Sequence, residues 1–112
     1  YDSSASLGAS TTAYTTSEEI TNTSGSAYSA KGKALTSVTP VASSTTAVCD
    51  FSDISWTSAS FTARGCMIFN DSASGDPSVC CIDFGGDKTA TNGTFTIQFP
   101  TADSSDAIIR IA

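Results

Sequence analysis

Apolar and polar residues alternate most cleanly over residues 94–99, where Phe95, Ile97 and Phe99 fall on one face and Thr94, Thr96 and Gln98 on the other. A period of two predicts a half-buried β-strand, and Pro100 stops it. Residues 61–69 repeat the pattern, with Phe61, Ala63, Gly65, Met67 and Phe69 on one side and Thr62, Arg64, Cys66 and Ile68 on the other. Small residues alternate with large ones on the first side, as they do beneath a second packed sheet. Residues 79–84 form a third run. Asn70-Asp-Ser-Ala-Ser-Gly-Asp-Pro separates it from the second with turn-forming residues, so the two runs predict an antiparallel hairpin. Residues 47–51 and 107–112 read as further strands, and Gly85-Gly-Asp-Lys and Thr91-Asn-Gly as turns.

Residues 1–46 have a different texture, rich in Ser, Thr, Ala and Gly. Spaced anchors at Leu7, Tyr14, Ile20, Tyr28, Leu35, Val38 and Val41 argue against a solvated linker. They predict short irregular strands and long loops, with turns at Ser24-Gly-Ser and Lys31-Gly. Glu18-Glu-Ile fits either a helical turn or an edge strand. The expected fold is all-β, a single-domain antiparallel β-sandwich, jelly-roll-like or immunoglobulin-like. Its first 46 residues would be loop-rich and residues 47–112 the main strand block.

Composition sharpens this class. The 112 residues include 20 Ser and 17 Thr, which suit turns and exposed strand faces rather than helices. A formal net charge of −6 with only five basic residues excludes the basic stripe that nucleic acid requires. It equally disfavours docking on anionic membranes. No apolar run approaches the roughly 18 residues of a membrane span. The chain begins at Tyr1 rather than Met, which leaves export open.

Candidate chemistry is sparse. Without histidine the usual general base and a common metal ligand are both missing. Cys49, Cys66, Cys80 and Cys81 sit in strand-like runs, where a thiol packs as a small hydrophobe. A single disulfide from Cys66 to Cys80 or Cys81 is the second reading, and a metal site the third. Asp83-Phe84-Gly85 spells the magnesium-binding triplet of kinases, yet none of the accompanying kinase motifs is present. Asp71, Asp76, Asp83 and Asp87 lie in or near turns, where Asp bonds its own backbone, and a calcium site is the alternative. Asn22-Thr-Ser, Asn70-Asp-Ser and Asn92-Gly-Thr match the glycosylation sequon, a match that arises readily in so hydroxyl-rich a chain. The phenylalanines fall mostly at inward positions and read as core. Trp56, Tyr1, Tyr14 and Tyr28 are open to either a core or a stacking role. Arg64, mid-strand beside Gly65, reads as an edge-strand arginine or as half of an ion pair across a subunit contact. No catalytic residue, cofactor or metal is expected.

Several segments in order carry a family likeness: Phe51-Ser-Asp-Ile-Ser-Trp, Thr62-Ala-Arg-Gly-Cys-Met-Ile-Phe-Asn-Asp, Ile82-Asp-Phe-Gly-Gly-Asp-Lys-Thr and Phe95-Thr-Ile-Gln-Phe. With the earlier Ser24-Gly-Ser-Ala-Tyr-Ser-Ala-Lys-Gly-Lys-Ala-Leu, the sequence resembles a family of small virion structural proteins of tailed bacteriophages, frequent in phages of marine and cyanobacterial hosts. The resemblance runs from about residue 14 to 112 and brings no catalytic residues. It implies a virion component, either a capsid decoration or cement protein or a tail-associated one. Its partners would be the major capsid protein or other virion proteins, in a homo-oligomer. Arg64, Arg110 and Trp56 are the candidate subunit contacts. The cysteines at 66, 80 and 81 stand where the family has small apolar or aromatic residues. The alternatives are a tail, fibre or appendage subunit that adheres to host glycans, and a secreted filament subunit.

Overall fold

The computed structural model describes residues 1–21 and 23–112; the sequon at Asn22 lies outside the described residues. Among them there is no helix. Five strands appear in chain order, β1 (Ser37–Ser43), β2 (Thr46–Phe51), β3 (Ile54–Phe69), β4 (Ser78–Ile97) and β5 (Ile109–Ile111). They form two antiparallel sheets, a three-stranded one ordered β1-β2-β5 and a two-stranded one of β3 and β4. Neither sheet closes into a barrel.

The expected hairpin across residues 70–77 is present. Asn70 opens its loop by accepting at Oδ1 from the Ser72 backbone N–H, 3.1 Å, and from the Ser72 hydroxyl, 2.6 Å. The strand after this loop differs from expectation. The sequence pattern predicts separate strands at residues 79–84 and 94–99, with turns at Gly85–Lys88 and Thr91–Gly93. Instead β4 runs unbroken through both, opposite one continuous β3. Each turn signal is spent on a bulge. Gly85 (φ +74°) and Asn92 (φ +49°) take the left-handed conformation that lets a strand gain residues without reversing. The register agrees: Ala63 faces Lys88 and Gly65 faces Asp83, so residues 84–87 of β4 bow out opposite Arg64 alone.

The alternation over residues 94–99 holds as read, although β4 ends at Ile97, two residues short of the expected end at Phe99. Phe95 is buried, Ile97 and Phe99 are half-buried, and Thr94, Thr96 and Gln98 face solvent. Directly opposed hydroxyls pair across the outer face, Thr62 with Thr89 and Ser55 with Thr96, each at 2.7 Å. On the inner face Trp56, Ala59 and Ala63 of β3 meet Ala90 and Phe95 of β4 to form the core. Alanine at 59, 63 and 90 leaves room for the rings. Trp56 and Phe61 meet edge-on at 6.1 Å, and Phe61 and Phe95 lie 4.7 Å apart.

Residues 1–36 hold no strand among those described, only a bridge from Ala13 to Pro77. They nevertheless pack, as the spaced anchors predict: Ile20 and Tyr28 lie against the core, and Tyr14 stacks on Phe69 at 4.9 Å. The turns at Ser24–Gly25 and Ala30–Lys31 stand where the sequence places them. Glu18–Ile20 is neither helical turn nor edge strand. Ser17 and Glu18 make a turn, with Glu18 left-handed at φ +58°.

Candidate functional site

An open groove of about 630 Å³ runs between the N-terminal loops and the inner face of the β3–β4 hairpin. Its walls are aromatic: Tyr14, Tyr28, Trp56, Phe61, Phe69 and Phe95 all line it. The strands place Phe61 and Phe95 by their inward period, and the register shifts between Trp56 and Phe61 bring Trp56 onto the same face despite the odd spacing. The loops bring Tyr14 and Tyr28 over them, Tyr28 lying 6.2 Å from Trp56 and 5.9 Å from Phe61.

Glu19 organises the loop side. Its carboxylate accepts from the hydroxyls of Tyr14 (2.5 Å) and Tyr28 (2.7 Å) and from the backbone N–H of Lys31 (2.7 Å). Burial, reinforced by the neighbouring carboxylate that accepts the phenol proton, pushes the Tyr14 hydroxyl up to about 12 and raises Tyr28 further. Both phenols are therefore fixed as donors at neutral pH.

Two lysines stand at the groove. The Lys31 ammonium bridges Asp71 (2.6 Å) and Asp76 (2.9 Å) and lies over the rings of Tyr14 and Phe69. It thus sits between two of the aspartates considered for calcium, and their charge is answered by this internal cation. Among the described residues no three metal-ligating side chains converge. Lys33 donates to the Ser55 carbonyl and lies 5.4 Å from the Trp56 ring centre.

The three candidate contact residues are not brought together. Trp56 is interior, 6 % exposed, and its indole Nε1 has no hydrogen-bond partner. Arg64 lies eight residues further along β3, roughly 25 Å at strand rise. It is exposed and pairs within its own chain, Nε to Asp83 Oδ1 at 2.9 Å, which holds the Asp83 carboxyl below its ordinary range. Arg110 belongs to the other sheet and donates to the carbonyls of Ser104 (3.0 Å) and Ser105. Asp83-Phe84-Gly85 leads into the β4 bulge, where the Asp83 carboxylate accepts from the Gly85 N–H at 2.8 Å.

All four cysteines are free and half-buried. Register explains the missing bridge: Cys66 faces Ile82, Cys80 faces Ile68 and Cys81 faces Met67, so no two thiols are directly opposed. Diagonal neighbours on a sheet are too widely spaced for a disulfide without backbone movement. Burial pushes the Cys66 thiol up to about 11 and also raises Cys80, keeping both protonated and unreactive at neutral pH.

Sequence reasoning does not single out Glu19, Lys31 or Lys33. Only the folded loops reveal them, since the partners of Glu19 are five, nine and twelve residues away in an aperiodic stretch. Set beside known proteins, the chain matches no family model, no curated protein and no solved structure.

Proposed function

We propose that this chain is a structural subunit of a tailed-bacteriophage particle, a capsid decoration or cement protein that joins neighbouring shell subunits by non-covalent contact. The segment resemblance supplies the setting. The observation that carries the reading is how much surface the chain leaves uncovered. It exposes 6684 Å², where a compact monomer of 11.4 kDa exposes about 5,800 Å². The surplus of roughly 900 Å² goes with an extended outline of 46 × 29 × 26 Å and two open grooves, surface that neighbouring subunits can cover. Val38, Val41, Val79 and Ile111 contribute to it as exposed large apolar residues. In this reading the two sheets are the layers of a sandwich, with Phe51 at the end of β2 meeting Phe99, two residues past β4, at 5.6 Å, and the acidic, hydroxyl-rich exterior keeps the particle soluble. Particles stripped of the protein should lose resistance to heat and low salt; unchanged resistance would refute the cement role.

The aromatic groove favours a second reading, an appendage subunit that holds host glycans. The half-buried rings along it, Tyr14, Tyr28, Phe61 and Phe69, suit the apolar face of a sugar ring. Binding of the purified protein on a glycan array tests it, and a blank array removes it.

A further inference from the structure

We infer that the outer edge of β4 over residues 80–84 pairs with the same edge of a second copy, antiparallel across a two-fold axis. β4 is twenty residues long and has β3 on one side only. On its other side the last backbone bond is from the Ser78 N–H to the Thr12 carbonyl, 3.0 Å; from 79 to 97 no further backbone partner exists among the described residues. An unpaired row of N–H and C=O groups is a template for another strand.

The remaining edges are guarded. β1 carries Pro40, and its register breaks between Val38 and Val41. The β3 edge is occupied by Tyr1, whose carbonyl accepts from the Arg64 N–H at 2.8 Å, and by Ser26, whose carbonyl accepts from the Ser60 N–H. β5 is only three residues long. Along β4, the bulge after Gly85 and the charges of Asp87 and Lys88 protect the middle. Between the irregularity at Val79 and the bulge at Gly85 lies one straight stretch, Cys80-Cys-Ile-Asp-Phe, with neither proline nor lysine.

Self-pairing of that stretch has one best register. Centring the axis on Ile82 uses all five residues. It sets Ile82 against Ile82 of the second copy, Cys81 against Asp83, and Cys80 against Phe84. The two Asp83 carboxylates are then not opposed, and each already has its own Arg64. A groove of about 480 Å³ beside β4, lined by Ile82, Phe84, Phe95, Pro100 and Ile108, adds an apolar wall to the edge. Because each copy carries a formal charge of −6, added salt should strengthen the association by screening repulsion.

This pairing does not depend on the virion role, since a dimer in free solution would form whether or not the chain belongs to a particle. The test is sedimentation of the wild-type protein across the micromolar range, paired with hydrogen exchange at 80–84. A monomer–dimer equilibrium is expected, in which amides of this stretch slow about tenfold or more as the dimer forms. Ile82→Lys and Ile82→Glu should each be monomeric, because like charges would face each other at the axis, and mixing the two should restore a dimer. A wild-type protein that stays monomeric, or a dimer whose 80–84 amides exchange as in the monomer, overturns the inference, as does a mixture of folded variants that fails to associate. If either variant does not fold, the wild-type exchange result decides alone.

Discussion

Gly65 is where the long hairpin is least tolerant of change. A β-carbon there would stand 2.5 Å from the Ile82 carbonyl oxygen and 3.5 Å from the Asp83 Cα. Such contacts are essentially never closer than 3.0 Å, so the ladder must open by at least 0.5 Å. The obstacle is backbone within a continuous ladder and cannot rotate aside. Overpacking of this kind costs about 1–3 kcal/mol. The φ of Gly65 lies outside the left-handed region, so alanine also narrows the unfolded ensemble and returns about 0.4–1 kcal/mol. Gly65→Ala should therefore lose a net ~1–2 kcal/mol, a fall in Tm of about 4–10 °C for a domain of this size. Gly86 is the internal control: nothing lies within 4 Å of its β-carbon position and its φ is ordinary, so Gly86→Ala should be neutral or stabilising by up to ~1 kcal/mol. Urea and thermal unfolding of both variants, followed by circular dichroism, read the difference. A Gly65→Ala protein as stable as wild type would refute the close β3–β4 approach.

Trp56→Ala should destabilise by about 3–5 kcal/mol through the lost ring and the cavity left behind. Trp56→Phe should cost much less, because it also removes a buried donor that has no partner; chemical denaturation separates the two. In alkali the tyrosine pKa values, raised in the folded state, give the sign. Above pH 10 the unfolded chain sheds phenol protons that the folded chain keeps, so their contribution is complete below 10 and fades as pH rises through about 12. Spectrophotometric titration should show tyrosinate appearing late and together with unfolding, whereas three phenols titrating freely near 10 would contradict the Glu19 cluster. Alkylation at mildly alkaline pH followed by mass spectrometry should modify Cys66 last among the thiols that burial raises, behind Cys80.

Periodic patterns are the part of this fold that is legible in the sequence. Phe95-Thr-Ile-Gln-Phe has one period and one outcome, and the 70–77 loop is dense enough in Asn, Asp, Gly and Pro to close a hairpin. Gly85-Gly and Asn92-Gly mislead because a left-handed residue serves a bulge as well as a turn, and only the facing strand decides between them. With β3 continuous opposite both sites, each becomes a bulge. Val38 and Val41 read as anchors, yet both are largely exposed, at 42 % and 50 %; a β-branched residue favours strand whether or not it is covered. The groove is half legible. Phe61, Phe69 and Phe95 come from strand period, whereas Trp56, at an odd spacing from Phe61, joins their face only through the register shifts between them, and Glu19, Lys31 and Lys33 are held by contacts with no repeating interval. Arg64 stands out in the sequence, but its partner Asp83 can be named only once Gly65 is known to face that residue.

The role as a particle component is tested most directly by imaging. An electron-microscopy map of the assembled virion should show this chain as ordered density bridging neighbouring shell subunits. Purified particles that lack the protein altogether would contradict it.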